Sequence, residues 1–178
     1  MHISYDDRVS ASSDLRLPKF PVEVEVGFAD GSSRCVDVYV AEHTEHSYRR
    51  QHVIDLLEAD EPFVPARDVA ENGHEHWAMI NKATIAWVAI PLDEGSLPVD
   101  DSLDASDTEL YDVQSPVSVD IAAHPAVAGH VLYSPPAGRG RLIDYLNQPG
   151  RFLRVWTAER LVLVNKSCVL GVHEPAVD

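Results

Sequence analysis

Only two cysteines and two methionines occur among the 178 residues, and Lys and Arg together number 14 against 29 Asp and Glu, a net charge of −15. A single disulfide would require the strands that carry the two thiols to meet. No apolar run approaches the roughly 20 residues that cross a bilayer as a helix, and Met1-His2-Ile3-Ser4-Tyr5-Asp6-Asp7-Arg8 lacks the charged-then-apolar layout of a secretory leader. The expectation is therefore a cytoplasmic protein with no membrane contact. A Gly-x-Ser-x-Gly elbow, a paired-cysteine ligand set and a phosphate-binding lysine loop are also missing, so the main hydrolase, zinc and nucleotidase templates find no match. Catalysis is disfavoured and no cofactor is expected. Cys35 and Cys168 each sit in an apolar or β-branched stretch and read as buried thiols.

What the chain does have is a repeat. Pro21-Val22-Glu23-Val24-Glu25-Val26 is answered by Pro116-Val117-Ser118-Val119-Asp120-Ile121. Arg50-Gln51-His52-Val53-Ile54-Asp55-Leu56-Leu57 returns as Arg139-Gly140-Arg141-Leu142-Ile143-Asp144-Tyr145-Leu146, and Phe63-Val64 as Phe152-Leu153. Ile80-Asn81-Lys82 returns as Val164-Asn165-Lys166. The offsets are 95, 89 and 84 in turn, so the second copy is shorter in two loops. Self-similarity on this scale sets the architecture before any motif is weighed.

Each copy reads as strand, strand, short helix, strand, strand, strand. Val22, Val24 and Val26 alternate with Glu23, Glu25 and Gly27, the period-two pattern of a half-buried strand, and Ala29-Asp30-Gly31-Ser32 turns the chain toward Cys35 to Val40. Val53, Ile54, Leu56 and Leu57 fall at helical spacing between Tyr48 and Ala59, before Pro62. Trp77 to Ile80 and Ile85 to Ile90 complete the first copy, with a turn at Glu71-Asn72-Gly73. In the second, Val117 to Ile121, His130 to Tyr133, Arg141 to Asn147, Arg151 to Trp156, Leu161 to Asn165 and Val169 to Val172 repeat the order. The fold class expected is mainly β (α+β): two tandem five-stranded barrel-like units, each with a helix between its second and third strands. Residues 1–20 form an N-terminal arm, 21–92 the first unit, 93–115 an acidic linker without a basic residue, and 116–178 the second unit. The linker's acidic, Ser and Pro content reads as exposed and partly disordered.

Arg141-Leu142-Ile143-Asp144-Tyr145-Leu146-Asn147, then Arg151-Phe152-Leu153, then Val164-Asn165-Lys166 and a closing β-run, resembles a small uncharacterised bacterial β-module family with an Arg-Leu-x-Asp-x-Leu-Asn, Arg-Phe-Leu, Asn-Lys pattern. The likeness covers the second unit, about a third of the chain. The first unit departs from it at His52-Val53 and Leu57-Glu58. The resemblance implies a small non-catalytic β module.

Asp55 and Asp144 hold the same place on the two helices, where a carboxylate satisfies backbone donors or pairs with Arg50 or Arg139, or alternatively binds a ligand. Asn81-Lys82 and Asn165-Lys166 read as turns between strands. Gly138-Arg139-Gly140-Arg141 ahead of a helix, with Arg151 and Arg154 nearby, is the best anion or partner signal, and the acidic linker is its natural internal occupant. His43 and His46, and His74 with His76, are loose zinc candidates in the first unit alone. The function these features favour is binding: an adaptor or assembly subunit that contacts a protein partner or itself. Nucleic acid is disfavoured by the overall charge. Two alternatives stand beside that reading. One is a nucleic-acid or nucleotide binder using the second unit's arginines, the other a metal-dependent enzyme using the first unit's histidines.

Overall fold

The computed structural model describes residues 19–42, 51–69, 75–92, 111–134 and 141–175. Valine-rich alternation produces ten strands among these residues. In the first repeat these are β1 (Lys19–Phe28), β2 (Ser33–Ala41), β3 (Phe63–Val69), β4 (Glu75–Asn81) and β5 (Ile85–Pro91), with α1 (Val53–Glu58) between β2 and β3. In the second they are β6 (Val113–Ile121), β7 (Val127–Tyr133), β8 (Phe152–Trp156), β9 (Arg160–Asn165) and β10 (Val169–His173), with α2 (Leu142–Leu146) between β7 and β8. A 3-10 turn links β4 to β5 (Lys82–Thr84) and β9 to β10 (Lys166–Cys168).

The mainly β class is as expected, and each helix lies where the repeat put it. The two units are not separate, however. All ten strands belong to one open sheet in the order β10-β6-β7-β8-β9-β5-β1-β2-β3-β4, and every pairing is antiparallel. Each repeat contributes the same internal order, its fifth strand beside its first and its fourth at the far edge. The repeats join where β9, the fourth strand of the second, pairs with β5, the fifth strand of the first. An unpaired strand edge is an open template for association, and this junction covers one edge from each repeat.

The hydrogen-bonded pairs also correct the alignment. Phe28 faces Ile85 and Ile121 faces Val169, so the first strands correspond at an offset of 93, not 95. Ala29 N donates to Thr84 O at 2.9 Å just as Ala122 N donates to Cys168 O at 2.9 Å. Asp37 opposite Arg67 answers to His130 opposite Trp156, and Phe63 opposite Asn81 to Phe152 opposite Asn165, which fixes 93, 89 and 84 along the chain. The error was two residues because strand side chains repeat every two: the slipped alignment keeps every valine on its correct face. Two strands also extend past the expected unit bounds. β1 begins at Lys19 and β6 at Val113, taking residues assigned to the arm and the linker. The remainder of both segments, and the expected turn at Glu71-Asn72-Gly73 apart from its flanks, lie outside the described residues.

Two apolar cores form. The first gathers Val22, Val24 and Val26 of β1, Val36, Val38 and Val40 of β2, Val53 and Leu57 of α1, and Val64, Ile80, Val88 and Ile90. It also takes Phe152 and Leu163 from the second repeat. The second core holds Val117, Val119, Ile121, Val131, Tyr133, Leu153, Val155, Val162 and Val164, and takes Ala86 and Ala89 from the first repeat. The junction strands thus bury both faces, one in each core. Each fully buried valine or leucine contributes about 1.5–3 kcal/mol, so the exchange of Phe152, Leu163, Ala86 and Ala89 ties the repeats energetically.

Backbone conformation matters at two glycines. Gly31 adopts φ 88° in the β1–β2 turn, where Phe28 N donates to Ser32 O and Gly31 N to Phe28 O. Gly27 lies directly beneath the indole of Trp87, and any Cβ there would collide with that ring. The cysteines differ from expectation. Cys35 is exposed and Cys168 half-buried, both as free thiols, because Cys35 falls on the outward face of β2 opposite Glu25. Partial desolvation, with the Glu25 and Glu23 carboxylates adding to it, raises its thiol pKa. Thiolate is the reactive form, so iodoacetamide at pH 7.5 should modify Cys35 more slowly than a free thiol, and Glu23→Gln should accelerate the reaction. A rate equal to that of free cysteine would contradict this.

Candidate functional site

The side chains shared by the repeats sit at the starts of helices and turns. Asp55 is the third residue of α1, and its Oδ2 accepts from His52 N at 3.0 Å in a reciprocal capping arrangement, which satisfies donors that the helix itself cannot pair. Asp144 occupies the same third position in α2, behind Arg141 as N-cap. Asn81 Oδ1 accepts from Ala83 N at 3.0 Å and Asn165 Oδ1 from Ser167 N at 3.0 Å, each capping its 3-10 turn.

The following lysines carry a role that sequence reading missed. Lys82 is buried and its Nζ donates to Ala59 O at 2.8 Å, while Lys166 Nζ donates to Gln148 O at 2.7 Å. Both carbonyls stand at the exit of a helix and correspond at the offset of 89, so each lysine ties the fourth strand to the end of its helix. The adjacent backbone repeats too, with Lys82 N donating to Pro62 O and Lys166 N to Arg151 O. Burial holds both ammonium groups below the ordinary lysine pKa. Between the lowered folded value and about 10.4 the unfolded chain binds more protons, so stability rises with pH across that window. The unfolding free energy of the wild type minus that of Lys82→Met should therefore climb as pH rises toward about 10.4. Urea titrations at stepped alkaline pH measure it, and a flat or falling difference would contradict the assignment.

The candidate anion-binding arginines fall only partly within the described residues. Arg139 lies outside them. Arg141 is an exposed N-cap, Arg154 an exposed residue of β8, and Arg151 reaches Ala59 O at 3.5 Å. The backbone of Arg151 does more than its side chain: Arg151 N donates to Glu58 Oε1 and Oε2 at 2.7 and 2.9 Å, and Phe152 N donates to Oε1 at 2.9 Å. Glu58, at the end of α1, thereby clamps the start of β8. Gly150, at φ 119°, sets the chain for that contact. His43, His46 and His74 lie outside the described residues, and His76 is exposed on β4. Among the described residues no group of three or more His, Cys, Asp or Glu stands close enough to hold a metal ion.

Further contacts seal the junction between repeats. Asn165 Nδ2 donates to Ile85 O at 2.8 Å, and Arg160 Nη1 pairs with Glu25 Oε2 at 2.6 Å. His124 Nε2 donates to Phe28 O at 2.7 Å, with its ring edge-on to Trp87 at 5.7 Å. Within the first repeat, buried Asp37 accepts from Arg67 Nε and Nη2 at 3.1 and 2.5 Å across β2 and β3. Such pairing is what a buried carboxylate requires. The second repeat has His130 and Trp156 in those positions, so this ion pair is not part of the shared scaffold.

Among the described residues, two surfaces offer chemistry. One is a shallow cavity of about 380 Å³ beside β6 and β7, lined mainly by Pro116, Val117, Ala128, Gly129 and Pro175 with exposed His130 as its titratable group. The other is the pair of sheet edges. Among the described residues, β4 is hydrogen-bonded only to β3 and β10 only to β6. Trp77 and Met79 on β4, Phe63 beside it on β3, and Leu170 on β10 are exposed large hydrophobics, with Trp77 stacked on Tyr39 at 5.2 Å. No helix among the described residues is long and apolar enough to cross a membrane. The chain matches no family model, no curated protein and no solved structure.

Proposed function

We propose that this protein works by binding, as an adaptor or assembly subunit whose duplicated β unit engages protein through the two open edges of the sheet. The observation that carries this reading is the concentration of exposed Trp77, Met79 and Leu170 at strands that have an unpaired side among the described residues, with exposed Phe63 on the neighbouring β3. Main-chain donors and acceptors along such an edge supply affinity, and flanking apolar side chains supply specificity. Each repeat acts as one module curled around its own core into a small barrel-like unit. Supporting that curl, β5 and β9 bury one face in each of the two cores.

A photoreactive amino acid placed at position 77, and separately at 170, tests the reading in cells that make the protein natively. Irradiation should yield a covalent adduct with protein at both positions. The same residue at position 30, on the exposed β1–β2 turn, should yield none. Loss of all adducts at 77 and 170 would overturn the proposal.

A further inference from the structure

The repeat geometry points to a second copy of this chain as the occupant of both edges, joined head to tail by β4 of one copy and β10 of the next. This rests on the reading of the edges as binding surfaces, and it names their partner. The internal junction already shows what a fourth-strand edge and a fifth-strand edge do when they meet: β9 pairs with β5. The edges left over are the other fourth strand, β4, and the other fifth strand, β10. An interface that uses two different patches leaves one of each patch free after every joining, so it repeats.

The side chains at the free edges are those that the internal junction buries. Leu163 of β9 is 0% exposed and Phe152 of β8 is 6% exposed, both inside the first repeat's core. Their counterparts at the offsets of 84 and 89 are Met79, 65% exposed, and Phe63, 52% exposed. Transposed, Met79 and Phe63 of one copy enter the second core of the next. That core is correspondingly incomplete. Val53 and Leu57 of α1 are buried, whereas Leu142 and Leu146 of α2 are only half-buried and Ile143 is exposed. Leu170 is exposed where its counterpart Ala86 is fully buried. Four of the six exposed large hydrophobics among the described residues, Phe63, Met79, Ile143 and Leu170, are thus placed by one operation.

The operation also fixes a register. Val88 opposite Leu163 and Ala89 opposite Val162 become Val172 opposite Met79 and His173 opposite Ala78. Asn81, which caps its own turn as Asn165 does, takes the place from which Asn165 donates to Ile85 O, and faces the Val169 carbonyl. Three substitutions make this joint weaker than the internal one. Glu58, which grips two backbone N–H groups, is replaced by Asn147, and one of those groups is replaced by Pro62, which has no N–H. Glu174 stands where Ile90 is buried. The association is therefore reversible and depends on concentration.

Blocking one edge at a time tests it on the full chain. Met79→Lys blocks β4 and Leu170→Lys blocks β10, both at exposed positions, with circular dichroism checking that each variant keeps the fold. In sedimentation velocity the wild type should grow beyond the single-chain mass of 19.6 kDa as concentration rises. Each variant alone should stay at that mass, and the equimolar mixture should form a 1:1 dimer, because one free edge of each kind remains. A ring and a filament both satisfy the head-to-tail rule. In a background lacking Cys35 and Cys168, Ala78→Cys mixed with His173→Cys should give an interchain disulfide, and Ala78→Cys mixed with Leu170→Cys should not. A wild type that remains at the single-chain mass at its highest soluble concentration overturns the proposal, as does self-association of Leu170→Lys alone. If that single-chain protein still gives adducts with another protein at position 77, the edge is a binding surface but not for itself. If it gives none, both readings fall.

Discussion

Replacing Leu163 with alanine is expected to lower the unfolding free energy by about 2–5 kcal/mol, the range for removing a large aliphatic side chain from a packed interior. Leu163 belongs to the second repeat by sequence, yet its side chain is fully buried in the first repeat's core, while Val162 and Val164 on either side of it belong to the second core. The cavity therefore opens where the two repeats are fastened. A urea titration should show a lower midpoint with an unchanged slope. Met79→Ala is the internal comparison, since Met79 holds the same repeat position and is exposed. In dilute protein it should change stability by less than about 0.5 kcal/mol. If Leu163→Ala cost no more than Met79→Ala, the junction would not be what holds the repeats together.

How much of this was legible depends on what each feature leaves in the chain. The duplication, the helix between the second and third strands and the Asn-Lys turn are local patterns, and they stand in the structure where the letters put them apart from the two-residue slip in the first strand of the repeat. The junction is not local. Nothing in Arg160–Asn165 or Ile85–Pro91 announces that these strands pair with each other across 69 or more residues, because a two-faced apolar strand fits any neighbour that covers both faces. One sign was available: Val162, Leu163 and Val164, like Val88, Ala89 and Ile90, run without alternation, as strands buried on both sides do. Their repeat counterparts, Ala78-Met79-Ile80 and Val172-His173-Glu174, are just as unbroken in one case and polar in the other. The Cys35 expectation failed for a related reason, since an apolar neighbourhood in sequence does not decide which face a strand residue takes. The roles of Glu58, Lys82 and Lys166 were hidden because each charged group binds backbone of a distant segment, and backbone has no letter.

The second large effect falls on Asn165. Its Oδ1 accepts from Ser167 N at 3.0 Å and from Ser167 Oγ at 2.8 Å, and its Nδ2 donates to Ile85 O at 2.8 Å from a buried position. Asn165→Ala removes the cap and strands the Ile85 carbonyl inside the junction, so a loss of about 2–4 kcal/mol is expected, since each lost bond costs about 1 kcal/mol and an orphaned buried group more. Asn81→Ala removes only the corresponding cap to Ala83 N and should cost about 1 kcal/mol. The difference between the two is the worth of the reach across the repeats. Asn165→Asp separates cap from reach. It keeps an acceptor for Ser167 but sets a carboxylate against the Ile85 carbonyl, and only the protonated acid can donate there. The folded pKa of that aspartate would thus lie above the unfolded value of about 3.9, so its stability is retained below that pH and lost as pH rises through the folded value. Thermal melts between pH 3 and pH 7, on the order of one pH unit apart, should therefore bring Asn165→Asp toward the wild type at the acid end and away from it at neutrality. Equal losses for Asn165→Ala and Asn81→Ala, with no acid recovery for Asn165→Asp, would reduce Asn165 to a turn cap and leave the pairing of β5 with β9 to the apolar side chains alone.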